Sequence, residues 1–309
     1  MNPRQLRYFV QIAELKSFTR AASVLHIAQP ALSRQMQRLE SQLGVTLFKR
    51  TEAGIALTDA GSLLLERAVE LLQHFERVRD DLSAHAERPR GRLHIGLPPS
   101  MFDLVTMPLI REYRRRYPEV RLWITEGLSA VLHEAVLAGR VDVAVVSLSQ
   151  LASGLQAQPL VREPMHLFGP ASEQGRLGGK DSLPLESVAS FPLISTSRQN
   201  APYLVFEAAL RERGLQANTV MEADSSRMIT ELVASGLGWA VLPYCAIQRL
   251  IAGRRVAAAR ISGLEITWSL VHSRDRCLSV PAQAFRDLMS EIAAEQIESG
   301  RWSGATVFS

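Results

Sequence analysis

Along the first quarter of the chain apolar residues recur at helical spacing; beyond it, short apolar runs alternate with helical stretches. Leu6, Phe9, Val10 and Ala13 line one face of Pro3–Ala13. Phe18, Ala21, Ala22 and Leu25 line the next stretch, and Leu32, Met36 and Leu39 the one after. This spacing predicts three short amphipathic helices around one core. Between the second and third, His26, Ile27 and Ala28 leave room only for a tight turn, and Gln29-Pro30 suits a helix start because proline at the first helical position loses no bond. Gly44 stops the third helix, so the unit reads as a helix-turn-helix with Gln29–Leu43 as its second helix. Val45–Thr58 then reads as two short strands about a turn, a wing. From Thr58, a fitting N-cap with Asp59 in the first turn, helical signals persist to about Ala86.

Taken as heptads, that long helix places Gly61, Ala68, Phe75 and Leu82 at one seam position and Leu64, Leu71 and Val78 at the other. Two readings are open: a dimerisation helix that pairs two heads, or a helix packed on its own domain. Glu87–Arg92 mixes proline and glycine with charges, the composition of a hinge. Beyond it the pattern predicts strand Leu93–Leu97, helix Met101–Arg116, strand Arg121–Glu126, helix Ser129–Ala138 and strand Val141–Val146. Leu155–Val161 and Met165–Phe168 read as crossover strands. A second unit follows with strand Leu193–Ser195, helix Pro202–Arg213, strand Thr219–Glu222, helix Ser225–Ser235 and strand Trp239–Leu242. Glu265–His272 crosses back, and helix Pro281–Glu295 packs on the first lobe.

The expected class is therefore α/β: an N-terminal winged helix-turn-helix at residues 1–58, a linker helix at 59–88, a hinge at 89–92, and a two-lobed α/β domain. Residues 93–163 with 267–298 make the first lobe and 164–266 the second, and 299–309 form a C-terminal tail.

Charge sharpens this picture. The net charge of +4 is unevenly placed, for residues 1–50 hold eight Lys and Arg against two acids, leaving the rest slightly acidic. The basic end is the end with the helix-turn-helix, a local footprint that attracts phosphate backbones. With Leu32, Met36 and Leu39 facing inward, Pro30, Ser33, Arg34, Gln37 and Arg38 face outward without a single acid, and Gln29 opens the same strip. Arginine grips guanine bidentately and glutamine adenine, while serine and helix-start amides suit phosphate or base edges. Lys49 and Arg50 sit where a hairpin reaches a neighbouring backbone or minor groove. The bland alternative is a solvated face on a helical hairpin, with the wing cations merely exposed.

At this point Ala21-Ala22, Leu25, Gln29-Pro30-Ala31-Leu32-Ser33 and Leu39-Glu40 carry a resemblance: Ser17 to Gln42 resembles the DNA-binding domain of LysR-type transcriptional regulators. RLHIGLPPS, EGLSAVLHEAVLAGRVDVAVV, FPLIS and ASGLGWAVLP extend it to that family's effector domain, which is similar in fold to type II periplasmic binding proteins. The resemblance implies a wing with its basic residue at Arg50 and a linker helix whose partner chain lies antiparallel. It implies a dimer or dimer of dimers on an interrupted dyad in promoter DNA, RNA polymerase as a further partner, and inducer contacts from the turns between strands and helices. The wording of GLPPS and EGLSA resembles the nitrogen-assimilation-control branch, some members of which act without a small-molecule inducer.

Ligands in open α/β sheets bind beyond the carboxyl ends of strands, where helix N-termini offer free amides. Ser100, Ser129, Thr196, Arg198, Asn200 and Ser225 stand in such turns. Each serine is equally a helix cap, and Ser100 and Thr196 stand out for their place at one cleft. An anion such as a small carboxylate suits hydroxyls, helix N-termini and Arg198, whereas Leu128 and Pro98 would shape a partly apolar site.

Other classes find little here. No segment reaches the roughly 18 apolar residues of a membrane span, and the N-terminus lacks a long apolar run with a cleavage site, so a cytoplasmic protein is expected. Gly236-Leu-Gly238-Trp-Ala-Val241 fails the dinucleotide fingerprint, Gly178-Gly179-Lys180-Asp181 is no phosphate loop, and Gly127-Leu-Ser129-Ala-Val131 is no nucleophile elbow. No catalytic residues, metal ligands or cofactor are assigned. Cys245 and Cys277 read as buried thiols, and the close-set pair of the redox-switching branch of the resembled family is missing. Two other functions remain in view: a small-molecule binding protein whose basic head docks on protein, and an enzyme.

Overall fold

The first three helices form where the apolar spacing puts them. In a computed structural model of the chain they are α1 (Pro3–Leu15), α2 (Phe18–Val24) and α3 (Gln29–Leu43). The structure describes residues 1–51, 54–83, 89–147, 153–196 and 200–308, without the side chains of residues 50, 51, 73 and 76–83. Asn2 and Gln5 close a reciprocal capping box at the start of α1, and the Ser17 side chain caps α2 by accepting from the Arg20 N–H. Leu6, Phe9, Ile12, Ala21, Leu32, Met36 and Leu39 bury completely in the shared core. The wing strands β1 (Phe48–Thr51) and β2 (Gly54–Leu57) pair antiparallel, and the Phe48 ring packs on Phe9 and Phe18. Since strand neighbours alternate faces, seating Phe48 on the core turns Lys49 outward.

Helix α4 (Asp59–Ser83) starts with the Gly61 N–H donating to the Thr58 hydroxyl at 3.0 Å. Gly61 lies against the Leu47 backbone so closely that a β-carbon there would overlap the Leu47 carbonyl. The stripe packs on its own domain only in part, because the small head offers only so much area. Gly61, Leu64, Leu65, Ala68 and Leu72 pack on it, whereas Leu71 and Phe75 stay exposed. Val78 and Leu82 lie outside the described side chains, and the end of the predicted helix and the start of the hinge fall on residues outside the description.

The chain divides into two units, Met1–His85 and Ala86–Ser309. In the second, parallel strands β3 (Gly91–Leu97), β4 (Val120–Glu126) and β5 (Val143–Val146) alternate with α5 (Met107–Arg116) and α6 (Ser129–Leu137). The helix predicted from Met101 breaks up: Pro99–Met101 is a 3₁₀ turn and Phe102–Thr106 a π turn, before α5 begins. Pro108 explains this, since it has no N–H to donate to Leu104 and a continuous α-helix cannot pass through it unaltered.

The two predicted crossover strands are one, β6 (Leu155–Pro170), antiparallel to the similarly long β11 (Val256–Ser273). Between them come β7 (Ser182–Leu183), α7 (Leu185–Val188), β8 (Leu193–Ser195), α8 (Ala201–Glu212), β9 (Thr219–Glu222), α9 (Ser226–Ala234), β10 (Ala240–Pro243) and α10 (Tyr244–Ala252). The main sheet runs β10-β6-β11-β5-β3-β4, so β6 and β11 belong to both lobes. Helix α11 (Val280–Glu298) packs on α5 and β3 of the first lobe, and a short β12 (Thr306–Val307) pairs with β6. Among the described residues no helix is long and apolar enough to cross a membrane.

Candidate nucleic-acid interface and effector cleft

Helix α3 presents two opposite faces. Leu32, Met36 and Leu39 are fully buried, while Gln29, Pro30, Arg34, Gln37 and Arg38 are exposed and Ser33 is half-buried. Ala28 occupies the N-cap without a side-chain hydrogen bond, Pro30 has no N–H and the Ala31 N–H donates to the Ala28 carbonyl at 2.9 Å, so the Gln29 N–H is the first-turn amide not taken up by a cap. The turn before it is held by the Ile27 N–H donating to Ala22 and by His26 in the left-handed region at φ 53°. The one acid of the helix, Glu40, is spent elsewhere: its Oε1 accepts the Leu47 N–H at 2.7 Å and the Phe48 N–H at 3.4 Å. Glu40 thereby fixes the wing to the recognition helix. Sequence reasoning saw it only as half of a Leu-Glu pair and missed this role. Lys49 is exposed on the wing, and the Arg50 side chain lies outside the described residues.

The second unit holds a cleft of about 580 Å³ between its lobes. Ser129 and Ala130 at the start of α6, with Ser147 after β5, form one wall; Ala201, Leu204, Val205 and Ala208 of α8 form the opposite one, and Gly263–Glu265 of β11 the back. The Ser129 hydroxyl accepts the Ser147 N–H at 3.0 Å, which ties the α6 start to the end of β5. Ser147, buried and unremarked in the sequence, is thus part of the cleft. Glu207, Glu212, Glu265, Arg211 and Arg213 stand around it.

The predicted ligand residues are placed unevenly. Ser129 lines the cleft and Asn200, 6% exposed, precedes its α8 wall. Thr196 is 5% exposed and its Oγ1 has no hydrogen-bond partner among the described residues; it lines a separate void of about 10 Å³ with Tyr203 and Phe206, room for about one water. Ser100 is buried in the 3₁₀ turn after β3 and does not line the cleft. Ser225 caps α9, accepting the Met228 N–H, and stays exposed, as the capping alternative has it. Arg198 lies outside the described residues. Of the cysteines, Cys245 is buried and Cys277 exposed; the expectation of two buried thiols is corrected for Cys277, which sits in the loop after β11.

Comparison with known proteins covers both units. Residues 3–62 match the family model "Bacterial regulatory helix-turn-helix protein, lysR family", and residues 86–294 match "LysR substrate binding domain". The chain is 34% identical over 297 residues to the nitrogen assimilation regulatory protein nac of Klebsiella aerogenes, covering 95% of this chain and 96% of that one. Against nac of Escherichia coli it is 33% identical over 306 residues, covering 98% and 99%. In fold it is similar to a full-length OxyR variant from Pseudomonas aeruginosa, with TM-score 0.71, 24% identity and coverage of 95% and 94%. It is also similar to full-length CbnR solved with its target DNA, with TM-score 0.69, 24% identity and coverage of 96% and 99%.

Proposed function

This chain belongs to the LysR family of transcriptional regulators, and from that premise we propose that it reads an interrupted dyad in promoter DNA as a dimer or dimer of dimers. It is a regulator with a DNA-binding helix-turn-helix and an effector-binding domain, and the enzyme reading is set aside with the family. The observation that carries the proposal is the acid-free exposed face of α3. Gln29, Pro30, Ser33, Arg34 and Gln37 meet base edges, while Arg38, Lys49, Arg50 and the uncapped Gln29 N–H at the start of α3 hold phosphates. Leu71 and Phe75, left uncovered on α4, support pairing of two chains through this helix. Such pairing sets two heads on half-sites about one helical turn or a multiple apart. The protein acts in the cytoplasm, with RNA polymerase as a further partner on the promoter.

Replacing Arg34 with alanine is expected to cost about 1–3 kcal/mol of binding and to relax preference at one base position per half-site. Titration against sites substituted one base pair at a time checks this; an equal loss on every sequence assigns Arg34 to phosphate instead.

The effector is proposed to be a small anion, a carboxylate with an apolar body. The first turns of α6 and α8 offer amides and the Ser129 hydroxyl to the charge, and Ala201, Leu204 and Val205 line the body. Closure of the lobes is conveyed through α4 as changed spacing of the heads, and an effector acts only through its different affinity for the two settings. Similarity to the two nac proteins supports a place near the nitrogen-assimilation-control branch. A thermal-shift series with small carboxylates and neutral analogues separates the cases. Stabilisation that rises with carboxylate concentration is expected by mass action, and no response to any carboxylate would make this a regulator without such an inducer.

A further inference from the structure

Where β6 and β11 cross from lobe to lobe, Glu163 is completely buried with its carboxylate facing donors from three separate segments. The Trp268 indole of β11 donates to Oε1 at 2.6 Å, and the Trp302 indole and the Cys245 backbone N–H, at the start of α10, donate to Oε2, both at 2.9 Å. Burial raises the Glu163 carboxyl above the usual range, opposed by these bonds and by the Cys245 thiol. A carboxylate taken out of water is strongly destabilising if one partner is removed.

The segment after α11 fastens to the same place from outside. Thr306 and Val307 pair with Arg162 and Val161, the Phe308 N–H donates to the Leu160 carbonyl at 3.0 Å, and the Arg162 guanidinium lies 5.0 Å from the Phe308 ring centre. Gly304, at φ 75°, comes so near Pro164 that a β-carbon would be 3.1 Å from its Cγ. The ladder between β6 and β11 slips its register on both sides of this stretch, between Arg260 and Glu265 and again between Trp268 and Ser269. Irregularities bracketing a pair of crossing strands are where a two-lobed domain bends.

We propose that Ser299–Phe308 is a strap which, anchored on buried Glu163, holds the crossing strands at one setting and so fixes the resting closure of the two lobes. An effector, or its absence, then works against this strap. The proposal concerns lobe motion alone, so its test succeeds or fails without reference to DNA binding.

Asp103, in the π turn of the first lobe, and Arg249, on α10, form an ion pair of 3.3 Å that serves as a sensor of the setting. In the full chain with Cys277→Ser, the pair Asp103→Cys and Arg249→Cys is bridged by a short bis-maleimide, which spans more than a disulfide can, and its rate of cross-linking followed. Adding Trp302→Phe, which keeps the ring and loses the donor, is expected to slow cross-linking about tenfold, as loss of one charge-assisted hydrogen bond shifts the equilibrium. Ending the chain after Gly304 removes β12 but keeps Trp302, and is expected to slow it less. Hydrogen exchange at β3 of the first lobe and β10 of the second should stay at parent values, showing intact lobes. A cross-linking rate equal to the parent's in both variants overturns the proposal; should Trp302→Phe fail to fold, an unchanged rate in the shortened chain does so alone.

Discussion

Raising salt from about 50 to about 200 mM should weaken binding to a promoter fragment by about 10³-fold or more. The magnitude follows from counting the cations proposed to meet phosphate. Arg38, Lys49 and Arg50 belong to each head, so a dimer brings six, and each neutralised phosphate releases condensed counterions whose return opposes binding. Exposure of Arg38 and Lys49, the basic surplus confined to residues 1–50, and the pinning of the wing to α3 by Glu40 all bear on this number. Fluorescence anisotropy at several salt concentrations gives the slope directly. A basic head that docks on protein would show a far shallower dependence on promoter fragments and no preference among them.

The second large effect is acid destabilisation of the effector domain through His166. Burial of its ring pushes its pKa down to about 4, against a backbone hydrogen bond to Pro164, while the nearby Arg260 pushes in the same direction as burial. The folded pKa is depressed, so the unfolded chain binds the proton more readily. The contribution is fully present above the unfolded value near 6.5, and is lost as pH falls through about 4. That loss amounts to about 3 kcal/mol at most. Urea midpoints from pH 7 to pH 4, followed by tryptophan emission, are the measurement; all four tryptophans lie beyond residue 86 and report this unit alone. His166→Gln should flatten the acid limb, and an unchanged limb would assign the acid sensitivity to other groups.

How far the sequence could be read depended on how local the deciding physics was. The helix-turn-helix was legible because Gln29-Pro30, Gly44 and a three-residue turn are local signals that agree with the apolar spacing. The alternation of strands and helices from Leu93 onward was legible for the same reason. The long crossing strands were not, because Pro164 falls between the two predicted strands as a break would, whereas in the sheet it pairs with Glu265 beside a register slip against β11. The start of β11, Val256–Arg260, hides behind three alanines whose intrinsic preference is helical, overridden by pairing with β6. Pro108 was visible, but apolar spacing alone does not show that the turn ahead of it is π rather than α.

The candidate sites divide the same way. The outward-facing residues of α3 are spaced along one helix and could be listed from period alone. The cleft is assembled from Ser129, Ser147, Ala201 and Leu264, residues far apart in the chain, so only the turn chemistry of Ser129 showed in advance. Glu40 showed in the sequence only in the Leu39-Glu40 pair and Glu163 not at all; their roles come from backbone and indole N–H groups brought to them by tertiary folding.

The account stands on the outward face of α3 lying against base edges of a specific site. Its most direct test is footprinting of the intact chain on the DNA upstream of its own gene, with a large excess of shuffled oligonucleotide present. Two protected half-sites that persist against the competitor are expected, and that protection should fade when Arg34 is alanine. Protection that shuffled DNA removes as readily as the native sequence does would contradict it.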